Sequence, residues 1–150
     1  MATNFPILRR LHANLVRAAL LAALVVLGSL AADQPARADG GVEAAAAANS
    51  ALSACSNYTG KSLYTCVADV LDKLANRISN AADTQRALVT AASQLRAAAN
   101  KAQALSAITQ CRAVVAGVLK QVLAMGQNGK GLSAVAGVLA RAAALIQSKG

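Results

Sequence analysis

The feature that most constrains the fold is the absence of proline beyond Pro35. The chain has 150 residues and two prolines, Pro6 and Pro35. The long remainder is rich in Ala, Leu, Gln, Lys and Arg, which favour helix. Aromatic residues make up 2 % of the chain, so the β-branched and aromatic runs typical of a sheet are missing. The sequence therefore predicts an all-α protein, a small antiparallel bundle of about four helices that follows an N-terminal signal peptide.

The beginning of the chain has the three parts of a secretory signal peptide. The first 17 residues contain three arginines and no acidic residue, and an uninterrupted apolar run follows at 18–27. Small residues, Ala36 and Ala38, then occupy the positions that a signal peptidase reads. We therefore expect cleavage after Ala38, which would release residues 39–150 as a single helical domain into the periplasm or the medium.

The alternative is that the same apolar segment remains as a membrane anchor. The run from Ala18 to Ala32 has 15 residues and includes Gly28 and Ser29. A helix that crosses a bilayer needs about 20 apolar residues, so the segment is short for an anchor. Cleavage is the preferred interpretation.

Removal of the leader changes the chemistry that the rest of the chain offers. His12, the single histidine, would be lost together with four of the 15 basic and one of the six acidic residues. The mature domain keeps 11 basic and 5 acidic residues, a net charge of +6. It has no histidine for general base or metal-ligand chemistry, and no phosphate-binding glycine loop or haem-attachment motif. We therefore expect a non-enzymatic protein without a cofactor or a bound metal.

The charged residues do not form an obvious ligand site. The basic residues are spread along the chain with few aromatics between them, a pattern that does not favour nucleic acid. A diffuse positive surface does suit the headgroups of anionic lipids. Asp69 and Asp72 are three residues apart on a predicted helix, but Lys73 and Arg77 nearby oppose a bound cation. A solvated helix face is the preferred interpretation of this acidic pair.

Hydrophobic periodicity places the helices. The first is expected over 42–56, the second follows an N-cap at Ser62, and the last covers 132–147. The segment 84–125 is either one long helix or two helices broken near Asn100. The apolar stripe of the second helix comprises Leu63, Val67, Val70, Leu71, Leu74 and Ile78. The stripe of the segment 84–125 comprises Leu88, Leu95, Ala102, Leu105, Ile108, Val115, Val118 and Val122.

Three cysteines in an exported protein indicate one disulfide and one free thiol. Cys55 ends the first predicted helix, and Cys66 lies in the first turns of the second. An antiparallel hairpin brings these two together, so we predict a Cys55–Cys66 bond. The alternative, Cys66–Cys111, requires the third helical segment to bend back beside the second. The remaining cysteine is expected to be a small buried apolar side chain.

The composition favours a protein that acts through its surface on a protein or envelope partner, with self-association through alanine-lined helix faces as one route. The alternative is a membrane-active or lipid-binding protein that uses the apolar hairpin 114–146. The same hairpin would otherwise form the core of the bundle. The residues expected to face lipid or a partner in the last helix are Leu132, Val135, Leu139, Ile146 and Arg141.

Overall fold

A computed structural model describes residues 40–79 and 81–150. The predicted leader, its cleavage after Ala38 and the anchor alternative lie outside the described residues. Within the described ranges the chain forms five helices and no strand, which confirms the all-α prediction. The helices are α1 Gly40–Cys55, α2 Gly60–Arg77, α3 Ala82–Ala97, α4 Lys101–Ala124 and α5 Lys130–Lys149.

The five helices form a closed ring. Each packs against the next in sequence, α5 returns to pack against α1, and α2 touches α5 across the ring. The short connections make sequence neighbours antiparallel, so an odd number of helices leaves one parallel pair. That pair is α1 and α5, because Gly41 lies beside Gly131 at their starts and Arg141 donates to Ser53 further along. The bundle thus fits the predicted small bundle of about four helices, with a fifth where the segment 84–125 is broken, and it is antiparallel except at this closure.

The extra helix arises from a break at Asn100. Its Oδ1 atom accepts a hydrogen bond from the Gln103 amide at 3.0 Å, and the Gln103 Oε1 atom accepts one from the Ala99 amide at 2.7 Å. The first bond satisfies one of the amides that the start of a helix leaves free, and the second ties the residue before the cap to the first turn of the helix. The segment 84–125 is therefore two helices, which is one of the two arrangements that the periodicity allowed.

The second helix begins earlier than predicted. Thr59 precedes its first residue, Gly60, which has a positive φ of 52°. Glycine tolerates this left-handed conformation without the steric cost that a Cβ atom adds. Ser62 therefore lies in the first turn of α2 and is not its N-cap.

The core is one contiguous cluster drawn from all five helices between Ala44 and Ile146. Alanines share it with the larger aliphatic residues, which lets the helix backbones approach closely. Every predicted stripe residue of α2 is buried, whereas Ala102 of α4 is exposed. The largest fully buried side chains are Leu52, Leu63, Val67, Leu71, Leu74, Leu88, Leu95, Ile108, Val115, Val135, Leu139 and Ile146.

Three lysines at one end of the bundle donate hydrogen bonds to carbonyl groups at the carboxyl ends of neighbouring helices. Lys61 donates to the carbonyls that end α3, and Lys101 donates to the Gln147 carbonyl of α5 at 3.0 Å. Lys149 donates to the carbonyl of Ser56, just beyond α1. Terminal carbonyls lack partners within their own helix and carry partial negative charge. These lysines therefore have structural partners that their spacing in the sequence did not reveal.

Candidate binding surface

A groove of about 610 Å³ runs between the outer faces of α3 and α4. Small side chains on facing helices leave this space open, among them Ala91 on α3 with Ala107 and Gly117 on α4. The α4 wall extends from Ala107 to Gln121, which is about 21 Å at 1.5 Å per residue. The groove is therefore long enough for three to four turns of a helix.

Polar groups line the rim of the groove. At one end Asp83 and Arg86 form a loose, exposed ion pair at 3.7 Å. Toward the other end the Gln94 Nε2 atom faces the Gln110 Oε1 atom at 3.5 Å. Only neutral side chains line the groove beyond the Asp83–Arg86 pair. The surface therefore combines an apolar floor with a largely uncharged border.

Two α4 residues define the floor and the wall of this groove. Cys111 is buried in the floor and unpaired, as expected for the third cysteine. Burial raises the pKa of its thiol to about 11, so the thiol stays protonated at neutral pH and is a poor nucleophile. Val114 stands on the wall with 44 % of its surface exposed. The groove thus offers apolar contacts and no activated side chain.

The disulfide joins the residues predicted for it. The Cys55 and Cys66 sulfurs are 2.01 Å apart and their Cα atoms 5.7 Å apart. The bond ties the end of α1 to the beginning of α2, beside the turn that connects them. The Cys66–Cys111 alternative is wrong, because Cys111 lies in the α3–α4 groove and Cys66 is already bonded.

The last helix turns its apolar face inward. Val135, Leu139 and Ile146 are buried in the core, and Leu132 is half-buried at the start of the helix. Arg141 is exposed and its Nη2 atom donates to the Ser53 Oγ atom of α1 at 2.8 Å. Within this fold the predicted lipid- or partner-facing stripe packs on the bundle, which is the core interpretation that the sequence left open.

By length and composition alone, two of the described helices, α4 and α5, are apolar enough to cross a membrane. Core helices of water-soluble bundles satisfy the same criterion, and α5 contributes five side chains at 1 % exposure or less to the core. The two helices differ near the turn that joins them. There the end of α4 and the turn after it expose Leu123 and Met125, whereas the large apolar side chains of α5 face the core.

The acidic pair on α2 binds an arginine from the next helix. The Arg96 Nη2 atom of α3 lies 2.7 Å from an Asp69 oxygen and 2.6 Å from an Asp72 oxygen. The hydrogen bonds that the Arg96 guanidinium donates to Asp69 and Asp72 raise the pKa of Arg96. Within residues 40–79 and 81–150, no three His, Cys, Asp or Glu side chains lie close enough together to hold a metal ion.

Comparison with protein-family models, with curated proteins and with solved structures finds no match to this chain. The groove between α3 and α4 is the main candidate site, and the exposed turn between α4 and α5 is a separate surface.

Proposed function

We propose that this is an exported, non-enzymatic helical protein that acts by binding, and that the α3–α4 groove is its binding face. The observation that carries the proposal is the apolar, largely uncharged groove of about 610 Å³ on the outside of the bundle. Apolar clefts with a few polar groups at the border are the usual binding sites of folded domains. Export rests on the leader predicted over residues 1–38.

The shape of the groove favours a helix as its occupant. It is open along its length, so it would leave much of a small molecule in contact with water. Two antiparallel helices with small facing residues instead accept the apolar ridge of a third helix. Such a guest helix would cover Ala91, Cys111 and Gly117 and leave Gln94 and Gln110 at the rim.

A second copy of this chain is the occupant to which we commit. Val114 is an exposed apolar side chain on the α4 wall, and in the proposed dimer it would enter the groove of the other copy. In a two-fold arrangement with antiparallel grooves, the Asp83–Arg86 end of one copy meets the Gln94–Gln110 end of the other. The Asp83 and Arg86 charges of one copy then do not meet the like charges of the other. Self-complementary faces are the rule in two-fold dimers.

The size of the face predicts a weak dimer. Stable complexes bury about 800 Å² per partner, and a groove between two short helix faces offers less than this. We therefore expect an association that depends on concentration in the micromolar to millimolar range. Sedimentation equilibrium of the exported protein measures it directly.

Gly117 and Gly137 provide a matched pair of variants. Both are exposed helical glycines, and a Cβ atom at either position would meet no atom within 4 Å. Gly117 lines the groove, whereas Gly137 lies on α5 away from it. Gly117→Glu should abolish the dimer and Gly137→Glu should leave it intact. A monomer at every concentration, or equal effects of both variants, would overturn self-association through the groove.

Export has its own test. The protein is expressed with its full chain in a bacterium, and the periplasmic fraction is analysed by mass spectrometry. A chain that begins at Asp39 supports the proposal. An intact chain that begins at Met1 and remains in the cytosol contradicts it.

A further inference from the structure

The turn between α4 and α5 exposes apolar side chains at one end of the bundle. Leu123 and Met125 are 57 % and 64 % exposed, the highest values among the large apolar side chains of the described residues. Val42, at 41 %, lies at the same end, because its neighbour Gly41 packs against Gly131 just beyond the turn. We call Val42, Leu123 and Met125 the apolar tip.

Lysines flank the apolar tip. Lys120 precedes Leu123 by three residues and Lys130 opens α5, and both are exposed. Among the described residues neither ammonium group has a carboxylate or hydrogen-bond partner. Arg77, which borders Ala44 of α1, brings a further exposed cation to this end of the bundle. This differs from the opposite end, where three lysines are engaged with helix carbonyls.

Acidic groups at this end do not cancel the charge. Glu43 is exposed in the first turn of α1, and Asp83 lies beside Arg86 in the first turn of α3. The amino termini of α1, α3 and α5 lie here with partial positive charge, and the carboxyl termini of α2 and α4 lie here with partial negative charge, so the helix ends largely offset one another. The positive charge beside the apolar tip therefore comes from the side chains of Lys120, Lys130 and Arg77, against the carboxylate of Glu43.

We propose that the apolar tip docks on the surface of a membrane that contains anionic lipid. Leu123 and Met125 would enter the boundary between headgroups and acyl chains, and Lys120 and Lys130 would pair with lipid phosphates, as in other peripheral membrane proteins. The tip is an exposed helix end rather than a groove, so a fluid surface covers it better than a rigid partner does. This site differs from the α3–α4 groove and does not depend on dimer formation.

Vesicle flotation of the exported protein tests the proposal. Vesicles of phosphatidylcholine alone are compared with vesicles that also contain phosphatidylglycerol, at low and at high sodium chloride. We expect flotation with the anionic vesicles and its loss at high salt, because salt screens the contribution of exposed lysines. Equal flotation with neutral vesicles at all salt concentrations would overturn the electrostatic part of the proposal.

Paired variants separate the apolar tip from the rest of the surface. The double variant Leu123→Gln/Met125→Gln should lower the partition coefficient about tenfold, since both side chains leave water on docking. Each of Lys120→Gln and Lys130→Gln should lower it about fivefold. Matched controls elsewhere are Tyr58→Gln and Arg112→Gln, which should bind as the unmodified protein does. If the controls weaken binding as much as the tip variants do, the tip is not the docking site.

A fluorescent label identifies the inserted residue. Cys111 is buried with a raised pKa, so a new cysteine at an exposed position is the one that a thiol dye labels in the folded protein. An environment-sensitive dye on Met125→Cys should shift to the blue on anionic vesicles, and the same dye on Tyr58→Cys should not. Binding to soluble polyglutamate without vesicle flotation would assign the tip to an acidic protein and overturn membrane docking. Gly117→Glu should float as the unmodified protein does. Failure of the groove proposal is therefore distinguishable from failure of membrane docking.

Discussion

Gly41 of α1 packs directly on Gly131 of α5, where a Cβ atom on residue 41 would lie 2.9 Å from the Gly131 Cα atom. The contact allows the two parallel helices that close the ring to approach each other. A methyl group there meets backbone, which cannot rotate away. Gly41→Ala should therefore lower the free energy of unfolding by about 1–3 kcal/mol, as measured by urea denaturation.

Gly137→Ala serves as the comparison for this substitution. Its Cβ atom would meet no atom within 4 Å, so the replacement should stabilise the helix by about 0.5–1 kcal/mol. Stabilisation of similar size at position 41 would contradict the close approach of α1 and α5.

The cap at Asn100 holds the corner between α3 and α4. Asn100→Ala removes the side-chain acceptor for the Gln103 amide, and we expect a loss of about 1 kcal/mol in thermal or urea unfolding. Asn76 is an exposed asparagine inside α2, and Asn76→Ala should be neutral or slightly stabilising because alanine favours helix. Equal effects at the two positions would argue against the cap.

The Cys55–Cys66 bond should stabilise the fold mainly by restricting the unfolded chain. The two residues are 11 positions apart, and closing so short a loop contributes about 2–3 kcal/mol in the chain-entropy model. The double variant Cys55→Ala/Cys66→Ala should lose about that much. Adding a reductant should reproduce the loss in the unmodified protein and have no effect on the double variant.

The buried thiol of Cys111 predicts a loss of stability in alkali. An unfolded thiol titrates near pH 8.5, whereas burial raises the pKa of Cys111 to about 11. Between these values the unfolded chain releases a proton that the folded chain retains, so rising pH favours unfolding. The contribution of the protonated Cys111 thiol to the free energy of unfolding is complete below about pH 8.5. It declines by at most about 1.4 kcal/mol per pH unit until about pH 11.

Cys111→Ala isolates this effect from the titration of lysines and tyrosines, which both proteins share. The stability difference between the unmodified protein and Cys111→Ala should change steadily from pH 8 to pH 11. A constant difference over this range would show that the thiol is not buried in solution.

Several features of the fold were predictable because they depend on local chemistry. The stripe from Leu63 to Ile78 repeats at the helical period, and all of its members are buried. The Cys55–Cys66 pairing followed from a hairpin with a short turn. The Asn100–Gln103 cap was also predictable, since an N-cap residue followed three positions later by Glu or Gln is a known helix start. This signal favours two helices over one in the segment 84–125.

Other features needed the neighbours in space. Val135 and Leu139 make an amphipathic stripe that suits a core or, as the alternative, lipid, and only packing against α1, α2 and α4 decides between them. In the sequence, Lys61 and Lys101 are typical of solvated surface charge. Their carbonyl partners at the ends of α3 and α5 become visible only in the tertiary structure. The α3–α4 groove is invisible in sequence because it depends on the distance between two helices.

The sequence by itself determined the helical class, the apolar faces and the disulfide, because helix propensity and short-range spacing act between residues close in the chain. Tertiary structure alone decided the ring of five helices, the parallel closure at Gly41 and Gly131, and which apolar surfaces stay exposed. The physical reason is that burial depends on which faces meet, and contacts between residues distant in sequence determine those meetings.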